Sequence, residues 1–163
     1  MRQQSATLRY VNDSTRTEQY QPTAWVSLVD EDGPRPGYAT EGSVAFDLAA
    51  RETTVIQPRQ IARIPTNVIV QIPDGYCLLL ALRSSTPSRL GLLMPNAPAI
   101  IDRDFCGALD ELLVQVLNFT DAPVTVERGT RLAQAMFVRT DRLPLIVRDR
   151  PTTPSRGGFG STG

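Results

Sequence analysis

The amino-acid sequence predicts a single all-β domain, a sandwich or a barrel, and three observations support this prediction. Apolar runs are short and are separated by turns at a spacing of roughly 8–12 residues, which is typical of such folds. The chain carries 13 prolines, and no long amphipathic helix pattern is present. A length of 163 residues suits one domain with a buried core, and we find neither an internal repeat nor a second domain.

The apolar runs define the predicted elements in order. Residues 1–22 are polar with little periodicity, and we expect a peripheral N-terminal extension there. Residues 30–37 (DEDGPRPG) predict a loop, and Ser85–Leu92 predicts no more than a short helical turn, because Pro87 restricts a helix. The predicted strands are Ala24–Val29, Val44–Ala49, Thr54–Ile56, Ile61–Ile64, Val68–Ile72, Cys77–Leu82, Leu90–Leu93, Ala99–Ile101, Leu112–Leu117, Val124–Val126, Leu132–Val138 and Leu143–Val147.

Composition excludes several classes of function. Basic and acidic side chains number 17 each, so no net charge favours nucleic acid or a membrane surface as a partner. Histidine is absent, which excludes histidine metal sites and Ser-His or Cys-His nucleophile pairs and leaves acid–base chemistry to a carboxylate. We expect Cys77 and Cys106, which lie in apolar stretches, to be buried free thiols. Without a signal peptide or a long apolar run, we expect a soluble, cytoplasmic protein.

The last eight residues, Arg156–Gly163 (RGGFGSTG), contain four glycines. Such a composition is typical of a disordered chain end. The alternative is a flexible arm that becomes ordered over a nucleotide. Arg156 is suited to phosphate oxygens, the ring of Phe159 is suited to a base, and glycine-rich backbone exposes N–H groups to a polyphosphate.

Two stretches place a charged residue in an unusual setting. In residues 39–50 (ATEGSVAFDLAA), Asp47 lies between two apolar residues and should be half-buried. It is either a hydrogen-bonded residue at a turn or strand end, or a carboxylate that faces a metal ion or its water shell. In residues 82–86 (LRSST), Arg83 and three hydroxyl groups follow an apolar strand. That cluster indicates either an anion site or a capped turn.

Two further stretches carry polar residues at strand ends. In residues 96–107 (NAPAIIDRDFCG), Asp102 follows an apolar strand, and Asp104 shares its face if the strand continues. Without histidine, one of these carboxylates is the natural base for activating a water molecule, unless both only cap a hairpin. In residues 128–137 (RGTRLAQAMF), Gln134 lies among apolar residues, so it either closes the core or reaches a ligand.

In order along the chain, these stretches resemble the five motifs of the trimeric dUTP pyrophosphatases (dUTPases). The first four motifs resemble Ala39–Ala50, Arg83–Leu92 (RSSTPSRLGL), Asn96–Gly107 and Gly129–Phe137, and the fifth resembles Arg156–Gly163. The resemblance implies a distorted, jelly-roll-like β-barrel over residues 23–150, a flexible arm over residues 151–163, and a homotrimer with shared active sites. It leaves the extension of residues 1–22 uncovered.

The implied reaction is the Mg²⁺-assisted hydrolysis of dUTP to dUMP and pyrophosphate, which limits uracil incorporation into DNA and supplies dUMP. By resemblance, Asp102 activates the water that attacks the α-phosphorus, and Phe105 stacks under the deoxyribose. Asp47 stands near the water shell of the metal and is not expected to bind the metal directly. The remaining positions that match substrate-binding residues are Arg83, Ser84, Ser85, Asn96, Ile100, Ile101, Gln134, Arg156, Phe159, Gly160 and Ser161.

The chain departs from the usual motifs at several positions. Phe105 stands where tyrosine is usual, and we expect discrimination of the sugar to survive because the stacking ring is kept. Residues 97–99 (APA) replace a glycine-containing hairpin, and the segment 107–118 is longer than usual. Both changes concern base recognition.

Two alternatives to a dUTPase have the same fold. A dCTP deaminase carries a catalytic glutamate at the place of Gln115, and a neutral amide cannot take a proton from water. A non-enzymatic, nucleotide-binding regulatory protein is the second alternative, and only the N-terminal extension favours it. The presence of Asp102 and of the arm favours an enzyme.

Overall fold

The computed structural model describes residues 22–157. The predicted N-terminal extension therefore lies outside the described residues apart from Pro22, as do Phe159, Gly160 and Ser161 of the predicted arm. The described elements are β1 (Trp25–Leu28), β2 (Gly37–Tyr38), β3 (Phe46–Ala49), β4 (Thr54–Ile56), β5 (Ile61–Pro65), β6 (Val68–Gln71), β7 (Tyr76–Leu82), α1 (Thr86–Leu90), β8 (Leu92–Leu93), β9 (Ala99–Ile101), β10 (Leu113–Asn118), β11 (Val124–Val126) and β12 (Arg131–Arg139).

The strands form one large sheet and three smaller ones, and every pairing is antiparallel. The five-stranded sheet has the order β2-β3-β12-β7-β9, and a three-stranded sheet has the order β5-β10-β8. Two strand pairs, β1 with β6 and β11 with β4, complete the structure. The prediction of an all-β domain is confirmed.

The period-two alternation of apolar residues determines which face of each strand is buried. In the five-stranded sheet, Phe46, Leu48 and Leu80 point into the core, and Val114 and Val116 do so from the three-stranded sheet. Both sheets thus contribute to one hydrophobic core, which leaves the opposite face of the five-stranded sheet available for polar side chains.

Most predicted elements agree with the structure. Thr54–Ile56, Ala99–Ile101 and Val124–Val126 have the bounds that the sequence predicted, and most of the others differ by one or two residues at an end. The predicted helical turn is α1, with Pro87 in its first turn. The predicted strand from Leu90 is shorter, because Leu90 ends α1 and Gly91 adopts a left-handed φ of 65° before β8 begins. The short strand β2 was not predicted.

Two predictions were wrong. Residues 143–147 form no strand, and Leu145 and Val147 are each 95% exposed, because no described strand pairs with this segment. Cys106 is exposed, since it lies in the loop after β9, whereas Cys77 on β7 is half-buried. Both thiols are free. Among the described residues, no helix is long and apolar enough to cross a membrane.

Candidate active site

The outer face of the five-stranded sheet carries a row of polar side chains. Gln134 on β12 lies opposite Asp47 on β3 and opposite Ala81 on β7, so these three residues share one face. Arg83 comes two residues after Ala81 and is directed to the same face by the strand alternation. The sequence motifs around Asp47, Arg83 and Gln134 therefore meet on one surface.

A β-bulge adds Arg131 to this surface. The register of β12 against β3 shifts between Arg131 and Ala133, so Arg131 lies opposite Ala49 while Gln134 lies opposite Asp47. Ala49 and Asp47 are two residues apart and share a face, so the bulge brings Arg131 to the face of Gln134. In a regular strand, a spacing of three would direct these two side chains to opposite faces. Sequence reasoning missed Arg131 for that reason.

Asp47 bridges two arginines on this surface. Its Oδ1 lies 2.9 Å from Nε of Arg83, and its Oδ2 accepts a hydrogen bond of 3.0 Å from Nη1 of Arg131. The Asp47 side chain is only 14% exposed, and a half-buried carboxylate requires partners of this kind. The predicted half-burial of Asp47 is confirmed, and its observed partners are guanidinium groups.

A cavity of about 270 Å³, which we call the arginine cavity, opens beside these residues. Thr86, which is buried, fixes α1 to β12 by donating its hydroxyl to the Leu132 carbonyl at 2.7 Å. Predicted residue Ser84 is exposed and does not line the cavity. Gln134 donates from Nε2 to the Leu82 carbonyl at 3.5 Å and does not line the cavity either. The lining consists of Arg83, Ser85, Thr86, Arg89, Leu90, Thr130 and Arg131.

A second cavity of about 270 Å³, which we call the hairpin cavity, is lined by Ile100, Ile101, Asp102, Asp104 and Phe105. It brings together four predicted residues and includes Asp104. The strand does not continue to Asp104, since β9 ends at Ile101 and the Phe105 amide turns back to the Asp102 carbonyl at 3.2 Å.

Two apolar side chains that line the hairpin cavity are accessible to solvent. The ring of Phe105 is 40% exposed and Ile100 is 65% exposed, so both can receive a flat ligand. Asn96 lies in the turn before β9, is exposed, and does not line this cavity.

The two cavities lie at opposite ends of β7. Ile101 pairs with Leu78 near the start of β7, so Asp102 follows at the Cys77 position, whereas Arg83 comes directly after the end of β7. The rise of an antiparallel strand places Cys77 and Arg83 about 20 Å apart. Within one chain, Asp102 and Arg83 therefore belong to different cavities.

The chemistry of the arginine cavity suits an anion that brings its own cation. None of the residues that line it is acidic, and residues 22–157 contain no group of three His, Cys, Asp or Glu side chains that could hold a metal ion. Mg²⁺ is commonly held by substrate phosphates, water and few carboxylates. The side chains thus fit Mg²⁺ carried by a polyphosphate, with Asp47 as the neighbouring carboxylate.

Arg156 is the described part of the predicted arm. It is exposed and lies outside any strand, close to the end of the described residues. Gly157 follows with a left-handed φ of 81°, and its amide donates to the Ser155 hydroxyl at 3.1 Å. The structure does not bring Arg156 to either cavity of the same chain.

Comparison with protein families gives a match over most of the chain. Residues 31–163 match the family model described as dUTPase. The deoxyuridine 5'-triphosphate nucleotidohydrolase of Thermobifida fusca (strain YX) is 37% identical over 141 residues, which cover 85% of this chain and 77% of that protein.

Solved structures give the same result for the fold. The dUTPase of Staphylococcus bacteriophage 80alpha with dUPNHPP has a TM-score of 0.75 and 25% identity, and the match covers 86% of this chain and 98% of that one. A mutant dUTPase from phage phi11 of S. aureus, described with a coordinated structural Mg(II) ion, has a TM-score of 0.69 and 25% identity, and the match covers 78% of this chain and 97% of that one. The predicted jelly-roll-like fold of the dUTPase type is confirmed.

Proposed function

The chain belongs to the dUTPase family, and we propose that it hydrolyses dUTP to dUMP and pyrophosphate with Asp102 as the base that activates water. The observation that carries the proposal is the family match over residues 31–163, which includes both cavities and the arm. Hydrolysis of dUTP limits uracil incorporation into DNA and supplies dUMP for dTMP synthesis.

Asp102 is suited to the role of general base. It lies in the hairpin cavity beside apolar Ile101, and the sequence contains no histidine that could compete for this role. The Asp102 carboxylate takes a proton from a water molecule while the water oxygen attacks the α-phosphorus. The bond from the α-phosphorus to the oxygen bridging the β-phosphorus breaks, and pyrophosphate leaves with that oxygen. Asp104 lines the same cavity, so a variant of Asp104 is the control for the assignment of Asp102 as the base.

The hairpin cavity takes the nucleoside in this proposal. The ring of Phe105 stacks under the deoxyribose, and the close contact leaves no room for a 2'-hydroxyl group. The backbone from Asn96 to Ile101 forms hydrogen bonds with the uracil, and the exposure of Ile100 supports a ligand on this face. Such backbone contacts distinguish bases by their donor and acceptor pattern.

The arginine cavity takes the phosphates. Arg83 donates to phosphate oxygens from guanidinium nitrogens that Asp47 does not occupy, and the hydroxyls of Ser84 and Ser85 and the amide of Gln134 add further donors. When bound, Mg²⁺ neutralises phosphate charge and favours the leaving group. Asp47 would stand near the water shell of this ion, and it holds Arg83 in place.

The two cavities act together only in an oligomer, and we propose a homotrimer with active sites between subunits. The separation of about 20 Å along β7 supports this arrangement, because a nucleoside triphosphate has to reach Asp102 of one chain and Arg83 of another. The exposed apolar residues 143–147 support it as well, because such a segment is expected to be covered by a partner.

The arm of residues 151–163 closes the site in this proposal. Arg156 pairs with the γ-phosphate, Phe159 covers the uracil, and Gly160 and Ser161 contribute donors to the phosphates. Closure of a mobile segment excludes water from the reaction. The β domain is proposed to span residues 23–150, and the free thiols of Cys77 and Cys106 support a cytoplasmic location.

The deciding experiment measures pyrophosphate release with Mg²⁺ from dUTP, dCTP, dTTP and UTP, and ammonia release from dCTP. Pyrophosphate from dUTP alone supports the proposal and shows that base and sugar are both recognised. Ammonia from dCTP would instead place the protein with the deaminases, despite Gln115. Nucleotide binding without any product would favour the regulatory alternative.

A further inference from the structure

We propose that Asp74 is a positioning residue for Asp102, because it holds the guanidinium group of Arg103 and keeps that group away from the carboxylate proposed as the base. The inference deepens the proposed function and rests on it for the role of Asp102. The sequence motifs assign no role to either Asp74 or Arg103.

Asp102 is the first residue of a largely exposed loop. Strand β9 ends at Ile101, and the loop of residues 102–110 follows it, exposed in all but its last residue. Within residues 22–157, one side-chain bond joins this loop to the rest of the chain, the ion pair in which Nη1 of Arg103 donates to Oδ1 of Asp74. That ion pair is therefore the side-chain tie of the loop that carries the proposed base.

Asp74 lies on a well-anchored turn directly before β7. The Tyr76 amide, at the start of β7, donates to the Pro73 carbonyl at 3.2 Å. The Gly75 carbonyl in the same turn accepts a hydrogen bond of 2.9 Å from the amide of Thr140, which follows the end of β12. Strands β7 and β12 are neighbours in the five-stranded sheet, so both fix the backbone of this turn. The turn thus offers the loop a fixed point of attachment.

Arg103 lines a cavity together with several carboxylates. This cavity of about 790 Å³, which we call the turn cavity, is lined by four acidic residues, Asp74, Asp102, Asp104 and Asp141. Of these four, Asp74 alone forms an ion pair within the described part of the chain. Arg142 also lines the cavity and forms no ion pair in that part. The structure thus places Arg103 on one carboxylate and leaves the proposed base without a cationic partner.

The position of Asp102 shows why this choice of partner matters. Asp102 lines both the turn cavity and the hairpin cavity, whereas Arg103 lines the turn cavity but not the hairpin cavity. A guanidinium group bonds a carboxylate with two parallel N–H donors when both are free. If Arg103 bonded Asp102 in this way, it would occupy the oxygens that the base needs for a water molecule. The bond to Asp74 prevents this competition.

A purely structural role for this ion pair explains less. The side chains of Arg103 and Asp74 are 61% and 87% exposed, and ion pairs between such exposed groups contribute little to stability. The ion pair of Arg59 with Asp121 provides a matched control. Its side chains are 64% and 91% exposed, and neither residue lines the turn, hairpin or arginine cavity.

The first test measures hydrolysis of dUTP with Mg²⁺ and binding of a non-hydrolysable analogue by the full-length protein and its variants. Asp74→Ala should lower kcat about tenfold or more, which is part of the effect of losing a general base. The affinity for the analogue should change little, because the contacts to nucleoside and phosphates are kept. Adding Arg103→Gln to Asp74→Ala should restore part of the lost kcat, since no guanidinium group is then free to bond Asp102.

Two further variants complete the comparison. Asp74→Glu keeps a carboxylate for Arg103 and should keep most of kcat, and Asp121→Ala should turn over dUTP as the wild type does. Melting temperatures identify any variant that is not folded, and Asp74→Asn then takes the place of Asp74→Ala. Equal kcat in Asp74→Ala and the wild type would overturn the inference, and so would a double variant that is no more active than Asp74→Ala.

A crystal structure of Asp74→Ala tests the inference without turnover and separates it from the proposed function. The Arg103 guanidinium group should move to the Asp102 carboxylate in this variant. A guanidinium group that stays clear of Asp102 would overturn the inference even if the wild type hydrolyses dUTP. A wild-type protein that does not hydrolyse dUTP, together with Arg103 on Asp102 in the variant, would contradict the proposed function and keep the positioning of Arg103 by Asp74.

Discussion

Asp47 and Asp102 are carboxylates with opposite surroundings, and the roles proposed for them differ accordingly. Asp47 is half-buried between the guanidinium groups of Arg83 and Arg131, and each of its two carboxylate oxygens contacts one of them. Asp102 is exposed and lines a cavity with Ile100, Ile101, Asp104 and Phe105. A base needs free lone pairs toward a water molecule, so Asp102 is better placed for proton transfer.

Asp102→Asn should therefore abolish turnover of dUTP while nucleotide binding is kept. The amide has nearly the shape of the carboxylate but cannot take a proton, and loss of a general base typically lowers kcat by about 10²–10⁴-fold. Asp104→Asn is the control in the same cavity and should keep most of the activity. Steady-state kinetics with dUTP and equilibrium binding of a non-hydrolysable analogue check both variants. If Asp104→Asn is inactive and Asp102→Asn is active, the assignment of the base is reversed.

Asp30 predicts a measurable dependence of stability on pH. The backbone N–H of Asp32 and then the Arg128 guanidinium lower the pKa of the Asp30 carboxyl below its ordinary value of 3.8. Its stabilisation is therefore complete above pH 3.8 and is lost as the pH falls through the lower pKa of the folded state.

Asp30→Asn should flatten the acid side of the stability curve by a small amount, because solvent screens this exposed group. Thermal unfolding from neutral to acid pH checks the expectation. Glu31→Gln is the control, since Glu31 forms no ion pair within the described part of the chain. Equal slopes for Asp30→Asn and the wild type below pH 4 would contradict the assigned cause.

At the scale of elements, helix α1 and strand β12 determine the shape of the arginine cavity. Helix α1 carries Arg89 and is fixed to β12 through the buried Thr86 hydroxyl. The bulge in β12 directs Arg131 to the same surface. Gly91 ends α1 in a left-handed conformation and allows β8 to begin at once.

Gly91→Ala should destabilise the protein by about 1–3 kcal/mol, from its positive φ and from a steric clash. An added methyl group would overlap Cγ2 of Thr120, and Thr120 cannot move freely because its hydroxyl donates to Asn118 at 2.8 Å. Gly42→Ala is the control, since no atom lies within 4 Å of the added carbon and its φ is not positive. Chemical denaturation measures the stability of both variants. Equal stability of Gly91→Ala and Gly42→Ala would show that the backbone at Gly91 or the side chain of Thr120 moves and removes the clash.

At the scale of the whole molecule, one chain places its hairpin cavity and its arginine cavity about 20 Å apart along β7. The proposed contact of one nucleoside triphosphate with both Asp102 and Arg83 therefore requires two chains. Rigid strand pairing from β3 through β12 and β7 to β9 prevents the cavities from approaching within a chain.

Subunit complementation follows from this separation. The Asp102→Asn and Arg83→Ala variants should each be inactive. Unfolding and refolding them together should restore part of the activity, because some sites of the proposed trimer then receive an intact residue from each parent. Sedimentation should report three subunits for every variant. An inactive mixture of well-folded trimers would contradict sites shared in this way.

Deletion of residues 155–163 should lower kcat strongly and the melting temperature only slightly. Arg156 is exposed and belongs to no strand, so we expect its loss to cost the folded domain little, and the proposed closing role of the arm predicts the loss of activity. Kinetics with dUTP and calorimetry on the truncated protein check both parts. A large fall in melting temperature would show that the arm is part of the folded domain.

The sequence by itself determined the fold class and most of the strands, because alternation of apolar residues is local and directly sets the buried face. It also identified Asp47, Arg83, Asp102 and Gln134 as members of polar clusters. It could not find Arg131, because the bulge that redirects that side chain depends on pairing with β3. Local apolar neighbours were likewise misleading for Cys106, which is exposed in the loop after β9.

Only the tertiary structure decided which clusters meet. It joined Asp47, Arg83, Gln134 and Arg131 through the order β3-β12-β7, and it separated them from Asp102 at the far end of β7. It also left the apolar residues 143–147 without a strand partner in the described chain. Strand order and register arise from contacts between residues far apart in sequence, and these contacts are not encoded in any local pattern.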